Sequence, residues 1–398
     1  MGQRQYDLIV IGGGISGLSL AHYASKAGMR TVVLEKADYA GGCLRTMRHE
    51  GYWLELGAHT CYNSYAGLIG IIEDCGLAQQ LQAREKVPFK MYIDGKVKSI
   101  PSELNFVELV CSAPRLFTMD KSHMTVGSYY SGIVGKNNYR KVVGPALSAV
   151  PSQKADDFPA EMLFKKRKRR KDIIKKFTLR GGLQTVAEAV ASEKGLEVRT
   201  GVEVTSVRFD KTFFTVSASG STFGALDLTA DRIGFAVPPP ACAGLLKDIL
   251  PAAASKLGEI RTAHVESVGV MVKKGLVGLP EFAGLIPAND LFFSIVSRDI
   301  VADPEYRGFT FHFKPGTGNE LRMKRIAEVL GTDRFEAVSG NKAVLPSPAM
   351  GHDKITAGID SLIRDKRIFI TGNYFAGLAV EDCICRSVAE FSRMKAAL

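Results

Sequence analysis

The sequence predicts an α/β fold. It is a Rossmann-like nucleotide-binding domain, discontinuous along the chain, with an inserted α+β substrate domain built on an antiparallel sheet and a helical lobe. Three observations predict it. The apolar run Tyr6-Asp7-Leu8-Ile9-Val10-Ile11 breaks at Gly12-Gly13-Gly14 and passes straight into a helical stretch, Leu18 to Ala27. The same strand–glycine–helix order returns from Arg367 to about Lys395. Between them, period-2 segments alternate with a proline-interrupted amphipathic stretch.

The bulk properties agree with this class. The 398 residues leave room for about two to three domains. A composition 46% hydrophobic and 23% charged is that of an ordinary globular protein. No apolar run reaches the ~18 residues that span a bilayer. The first strand begins at about Tyr6, which leaves no room for a signal peptide, and Tyr6 stands where a myristoylation signal wants Ser or Thr. Seven scattered cysteines without a CxxC pair predict reduced thiols in a cytoplasmic compartment and no metal site. Cys383 and Cys385 stand too close for a zinc pair.

In the opening unit, Gly12 permits the tight turn, Gly14 lets backbone approach a pyrophosphate, and Gly17 lets the helix pack on the strand. The helix start at Ile15, Ser16 and Gly17 offers unpaired N–H groups and a positive dipole end to phosphates. The next apolar run, Thr31-Val32-Val33-Leu34, ends at Glu35, placed to accept hydrogen bonds from a ribose, with Lys36 beside it. Gly41-Gly42-Cys43-Leu44-Arg45-Thr46 keeps backbone close to the same ligand and adds a cation near the pyrophosphate. Cys43 within it is read as filling space. Gly51 to Gly57 is a short strand running into the turn Gly57-Ala58-His59, and His59 is either a plain turn histidine or a ligand contact.

The middle of the chain is less explicit. Residues 66–82 carry apolar positions at helical spacing. Met91 to Pro101 is a hairpin with an Asp94-Gly95 turn. From Ser102 to Lys176 the pattern is mostly helical, and Leu104, Phe106, Val107, Leu109, Val110, Leu116, Phe117 and Met119 make an amphipathic region expected to pack into its core, with rest on a membrane as the weaker reading. Phe177 begins a helix expected to run to about Glu193. Strands follow at 195–207, 213–216, 232–237, 265–272, 292–296 and 309–313, with a helix at 322–330. The net charge of +11 is concentrated in Lys165 to Lys171. That block suits either a solvated face or peripheral contact with an anionic membrane. Without aromatic interleaving it does not suggest nucleic acid.

Together the motifs resemble the amine oxidase and protoporphyrinogen oxidase superfamily of FAD enzymes. Gly12-x-Gly14-x-x-Gly17, Glu35, Gly41-Gly42-x-x-Arg45-Thr46, Gly57-Ala58-His59 and Gly372-Asn373-Tyr374 carry the likeness. Tyr92 to Pro101, Leu179 to Gln184, Ala343 to His352 and Gly372 to Ile384 are most similar to protoporphyrinogen oxidases. The resemblance implies a GR2-type domain and non-covalent FAD, with Val204 pairing its backbone with the adenine. It places Gly57-Ala58-His59 against the flavin and Gly372, Asn373, Gly377, Leu378 and Ala379 at the ring. There the following helix would stabilise negative charge. It further implies a tetrapyrrole substrate, oxidised by hydride transfer from a meso carbon, in haem or tetrapyrrole biosynthesis. No catalytic side chain is assigned, since the flavin carries the chemistry. His59 and Lys90 are the substrate-site candidates. Met91 stands where the family often has an arginine, and the chain is shorter than typical members.

The expected organisation is an FAD-binding domain of 1–85, 178–258 and 343–398, a helical substrate or membrane lobe of 86–177, and a substrate-domain sheet of 259–342. A flavin amine oxidase or a desaturase acting on another small molecule is the alternative. An amine oxidase would carry an aromatic cage and a lysine near flavin N5. A non-catalytic flavoprotein recruited to membranes is a further reading. The oligomeric state and electron acceptor are not specified.

Overall fold

The computed structural model describes residues 5–396, so the opening tetrapeptide, read above for a lipidation signal, lies outside the described residues. The first sheet has the strand order Leu196–Arg199, Thr31–Leu34, Tyr6–Ile11, Gly224–Phe235, Phe214–Gly220, Val202–Phe209. Ile368–Ile370 pairs in parallel onto Gly224–Phe235. Tyr6–Ile11 is paired in parallel on both edges. Cores lie on both faces of the sheet, so the strand is buried on each, which explains why the run is apolar at every position from Leu8 rather than at alternate ones.

Alternation still decides which core each side chain enters. Leu8, Val10 and Val33 pack with the opening helix Ile15–Lys26 and with Cys383, Ile384 and Met394 of the C-terminal helix Val380–Ala396. Ile9, Ile11 and Val32 face the opposite way, with Cys242, Leu257 and Ile359 from three further helices.

The second sheet is ordered Ala337–Pro346, Thr262–Lys273, Tyr306–Phe313, Phe292–Ser297, Gly284–Pro287, Phe89–Ile93, Lys96–Ser99. Its pairs are antiparallel except Gly284–Pro287 with Phe89–Ile93. Phe309, Phe311 and Phe313 point under the helix Asn319–Leu330. The other face meets the hairpin Thr46–His49/Tyr52–Glu55 of the nucleotide-binding part: Thr310 donates to the Glu55 carbonyl (2.7 Å). Leu54 and Leu56 close over Gly269, where a Cβ would sit 2.3 Å from Leu56.

Several elements differ from expectation. The 66–82 helix ends at Asp74, because Gly76 at φ +69 turns the chain. The residues after it make a short turn and the strand Leu81–Ala83. Phe177 does not begin a helix: Lys176–Leu179 is a strand paired with Leu81–Ala83 and Cys61–Tyr62. Gly181 and Gly182, both at positive φ, break it, and the helix is only Gln184–Ala191. The 89–99 hairpin, expected with the helical lobe, forms the edge of the second sheet. The expected boundary at 342/343 falls inside a continuous strand. The lobe itself is short helices, and residues 164–170 have no regular structure. Among the described residues, no helix is long and apolar enough to cross a membrane.

Candidate functional site

Three glycine turns converge where the first sheet ends. Gly14 is the N-cap of the opening helix and supplies no side chain to cap it. The first intrahelical bond runs from Leu18 N–H to the Gly14 carbonyl (2.9 Å), so the N–H groups of Ile15, Ser16 and Gly17 have no acceptor within the helix. A Cβ at Gly17 would sit 1.9 Å from the Gly12 carbonyl oxygen, so only glycine lets this turn close. The second turn lies alongside the first. Gly41 N–H donates to the Gly13 carbonyl (2.8 Å), and a Cβ at Gly42 would come within 2.9 Å of Gly14 Cα. Two uncluttered backbone turns beside an uncapped helix end fit a pyrophosphate, the group an FAD would present here.

The strand end beside these turns, where a ribose and adenine would lie, is also ordered by its own contacts. Glu35 accepts from Gly13 N–H (2.6 Å) and Ala37 N–H (2.7 Å), which fixes its carboxylate beside the turn while each oxygen keeps a further lone pair. Lys36 points outward to Glu203 (2.7 Å) and is exposed. Arg45 lies 3.7 Å over the Tyr39 ring, which holds its guanidinium flat. Val204 lies on an edge strand whose Val202 N–H already turns to the Glu35 carbonyl (2.8 Å). Two residues on, Val204 turns its own N–H to that same edge.

The C-terminal turn approaches the same place. Val380–Ala396 carries two acids in its first turn, where they would oppose a negative ligand. Both are committed elsewhere. Glu381 accepts from Gly67 N–H (2.9 Å) and Leu68 N–H (3.1 Å) and so caps the helix Ala66–Asp74. Asp382 is held by Arg167 (2.7 Å) and Lys165 (3.5 Å). The Lys165 ammonium also donates to the Ala376 carbonyl. Part of the basic block is therefore a strap across the Gly377-Leu378-Ala379 turn. Arg170 is likewise tied to Glu73 (2.8 Å) and Asp172 (2.5 Å). Gly372 packs against the buried Tyr374 ring, with Asn373 half-buried between them.

Where the two sheets face each other, Gly57-Ala58-His59 meets the second sheet. His59 Nδ1–H donates to the Gly57 carbonyl (3.1 Å), and its ring stacks on His312 with centroids 6.4 Å apart. His312 Nδ1 shares a hydrogen bond with Ser267 Oγ (2.8 Å). Burial pushes His59 down to about 4 and His312 down to about 3, so both imidazoles are neutral at physiological pH. Arg84 lies close enough to add to the depression of His59. It donates to Thr60 Oγ1, its Nε is buried without a partner, and no acid pairs with it among the described residues. Below this turn, Glu55 accepts from Leu183 N–H (2.6 Å) and Thr46 Oγ1 (2.7 Å), and burial raises it to about 7.

Lys90 is not brought to this site. It pairs in register with Leu285, whose side chain enters the core under Asn319–Leu330, so Lys90 points to the opposite face from His312. Met91 points the other way and is buried against Val142 and Ile286. Ser267, His312 and Arg84 were not anticipated from the sequence. His312 left a signal: in Phe309-Thr310-Phe311-His312-Phe313 every second residue is polar, which marks one face of a buried strand as something other than core. Arg84 left none. Among the described residues, no cluster of His, Cys, Asp or Glu could hold a metal.

Comparison with known proteins agrees with this geometry. The family described as NAD(P)-binding Rossmann-like domain matches residues 10–69, and that described as flavin containing amine oxidoreductase matches residues 146–281. A probable flavin-containing monoamine oxidase A of Dictyostelium discoideum is 26% identical over 117 residues, 28% of this chain and 26% of its own. A 15-cis-phytoene desaturase of Narcissus pseudonarcissus is 30% identical over 84 residues, 21% of this chain and 15% of its own. The chain thus matches about a quarter or less of these relatives' lengths. The crystal structure of a putative protoporphyrinogen oxidase from Exiguobacterium sp. superposes with a TM-score of 0.81 over 100% of both chains, at 18% identity. A nucleotide-binding opening followed by a segment that matches flavin-containing amine oxidoreductases makes the chain similar to flavin-dependent oxidoreductases, in keeping with FAD as its cofactor.

Proposed function

We propose that the protein is an FAD-dependent oxidoreductase that oxidises a carboxylate-bearing, porphyrinogen-like substrate, in the manner of a protoporphyrinogen oxidase. The observation that carries this reading is Arg84 beside the neutral pair His59 and His312. Bound FAD would supply the two-electron acceptor. The chain's own groups would do the rest. Loss of hydride from a carbon leaves positive character on the substrate, and an imidazolium at His59 or His312 would oppose it. Burial keeps both rings uncharged. A half-buried guanidinium without an acid partner suits a substrate carboxylate, which it would take as a planar fork. Porphyrinogens carry such groups as propionates, so Arg84 would do the work expected of the arginine that Met91 replaces. The end-to-end likeness to a solved putative protoporphyrinogen oxidase supports the assignment.

An amine substrate is less well served. No lysine is buried among the described residues, and Tyr374 and Phe375 are both committed to packing, Phe375 under Arg386 at 3.7 Å.

Anaerobic mixing of the holoprotein with protoporphyrinogen, coproporphyrinogen and a panel of amines tests the proposal. The flavin band is expected to bleach with the porphyrinogens only. Arg84→Gln should raise the concentration needed by about tenfold, the worth of one charge-assisted pair. Bleaching by amines alone overturns the reading.

A further inference from the structure

The end of the first sheet opposite the glycine turns is also charged. Where the strand Ile368–Ile370 begins, a cleft of about 390 Å³ lies between the C-terminal ends of the helices His352–Ile363 and Val380–Ala396. That volume is within the range of small-ligand sites. Arg232, Arg364, Lys366, Arg367 and Arg393 line it, together with one acid, Asp365. Cations gathered in one concave place repel one another, and an anion entering among them relieves the repulsion.

Basic residues at a helix C-terminus serve, in the simplest account, to neutralise its dipole and its last carbonyls. Here a single arginine already does so. Arg393 Nη1 donates to the carbonyls of Ile363 (3.0 Å), Arg364 (3.2 Å) and Lys366 (3.1 Å), and Nη2 to the carbonyl of Ile368 and to Glu390 (2.7 Å). Arg367 is engaged as well, donating to the Thr212 carbonyl (2.7 Å) and lying 3.9 Å from Asp231. Three cations are left over. Arg364 and Lys366 are exposed and Arg232 is half-buried, and none of the three makes an ion pair among the described residues. Asp7, which feels the charge of Arg232, is held by the Arg30 N–H (2.8 Å) and guanidinium (3.2 Å). Partial burial of an unpaired guanidinium is unfavourable, and a bound anion would offset it.

We propose that this cleft binds a small, multiply charged phosphate of the pyrophosphate type through Arg232, Arg364 and Lys366. Phe369 is the aromatic residue of the lining. Its ring is buried in the core under Arg393 (4.3 Å), so it offers no face on which a nucleobase could stack. The site therefore reads charge and not a base. It is separate from the turns that fit the FAD pyrophosphate, since Ile368–Ile370 runs from Arg367 at the cleft toward Gly372 at the cofactor end. The proposal is independent of the substrate assignment.

Titration of the holoprotein tests it, because bound FAD keeps the added anion out of the glycine turns. Calorimetry with inorganic pyrophosphate at low salt is expected to show one saturable site per chain, weakening as salt is raised. The variant R364Q/K366Q loses two exposed charges, so it should keep its flavin absorbance and thermal transition, and it should bind at least about tenfold more weakly. The variant K168Q/K171Q loses the same charge from another exposed segment and should bind as the wild type does. ADP should bind no more tightly than pyrophosphate. No saturable site, unchanged affinity in R364Q/K366Q, or equal weakening in the two variants overturns the proposal. ADP binding more than about tenfold tighter overturns it in favour of a nucleotide site.

Discussion

Glu55 shows how one buried side chain ties the parts of the site together and how it will answer to pH. Its carboxylate accepts from the N-terminus of the helix Gln184–Ala191 through Leu183 and from Thr46, while its carbonyl accepts from Thr310 of the second sheet. Burial raises it from 4.5 to about 7. Between those values the unfolded chain has released a proton that the folded chain still holds, so this group's contribution to stability falls as pH rises. The full effect is on the order of 3 kcal/mol. Thermal stability is expected to decline from pH 5 to 7.5 in the wild type and to decline less in Glu55→Gln. Identical slopes for the two proteins would show that Glu55 is already ionised at pH 5. At this scale the tight glycine turns and the place of Glu35 at a strand end were legible, because close backbone approach and a strand end demand particular residue types at fixed spacing. Arg84 was not: what distinguishes it is the partner it lacks, and a missing partner has no pattern in sequence.

The element that changed most between sequence and structure is the basic segment. As a run of like charges it reads as a solvated or membrane-facing block. In the fold it is a strap, held by Arg167 to Asp382, by Arg170 to Glu73, and by Asn63, whose Nδ2 donates to the Arg170 carbonyl (2.7 Å). Asp382 lies over two hundred residues away in sequence, so no local pattern could announce the contact. The helix Phe106–Ser112 is the converse case: its apolar period was legible, but Phe106, Val107 and Val110, expected in the core, are exposed while Leu109 is half-buried, because a period does not say which way is in. Strap order has a direct test. Limited trypsin digestion should cut at Lys165 to Arg169 about tenfold faster in Asp382→Asn than in wild type, as two charge-assisted contacts are lost. Equal cleavage rates would mean that the strap is held without Asp382.

At the scale of the molecule, the first sheet draws strands from residues 6–34, 196–235 and 368–370, and the C-terminal helix covers the core formed by Leu8, Val10 and Val33. The return of a strand–glycine–helix unit made this assembly legible. The order of the second sheet was not, since the hairpin at 89–99 joins strands almost two hundred residues downstream by register that sequence does not display. A chain stopped after Lys366 should fail to retain FAD and should melt without a cooperative transition, because it uncovers that core. Stoichiometric flavin in the shortened protein would contradict this. The pairing of Tyr6–Ile11 with Gly224–Phe235 also bears on synthesis. Tyr6 meets Ala230 in register, and a ribosome adding roughly 5–20 residues each second needs about ten to forty seconds to supply that partner. Throughout that interval one of the most apolar strands in the protein has an open edge. The nascent chain is thus a natural client for holding chaperones long before it can meet its cofactor.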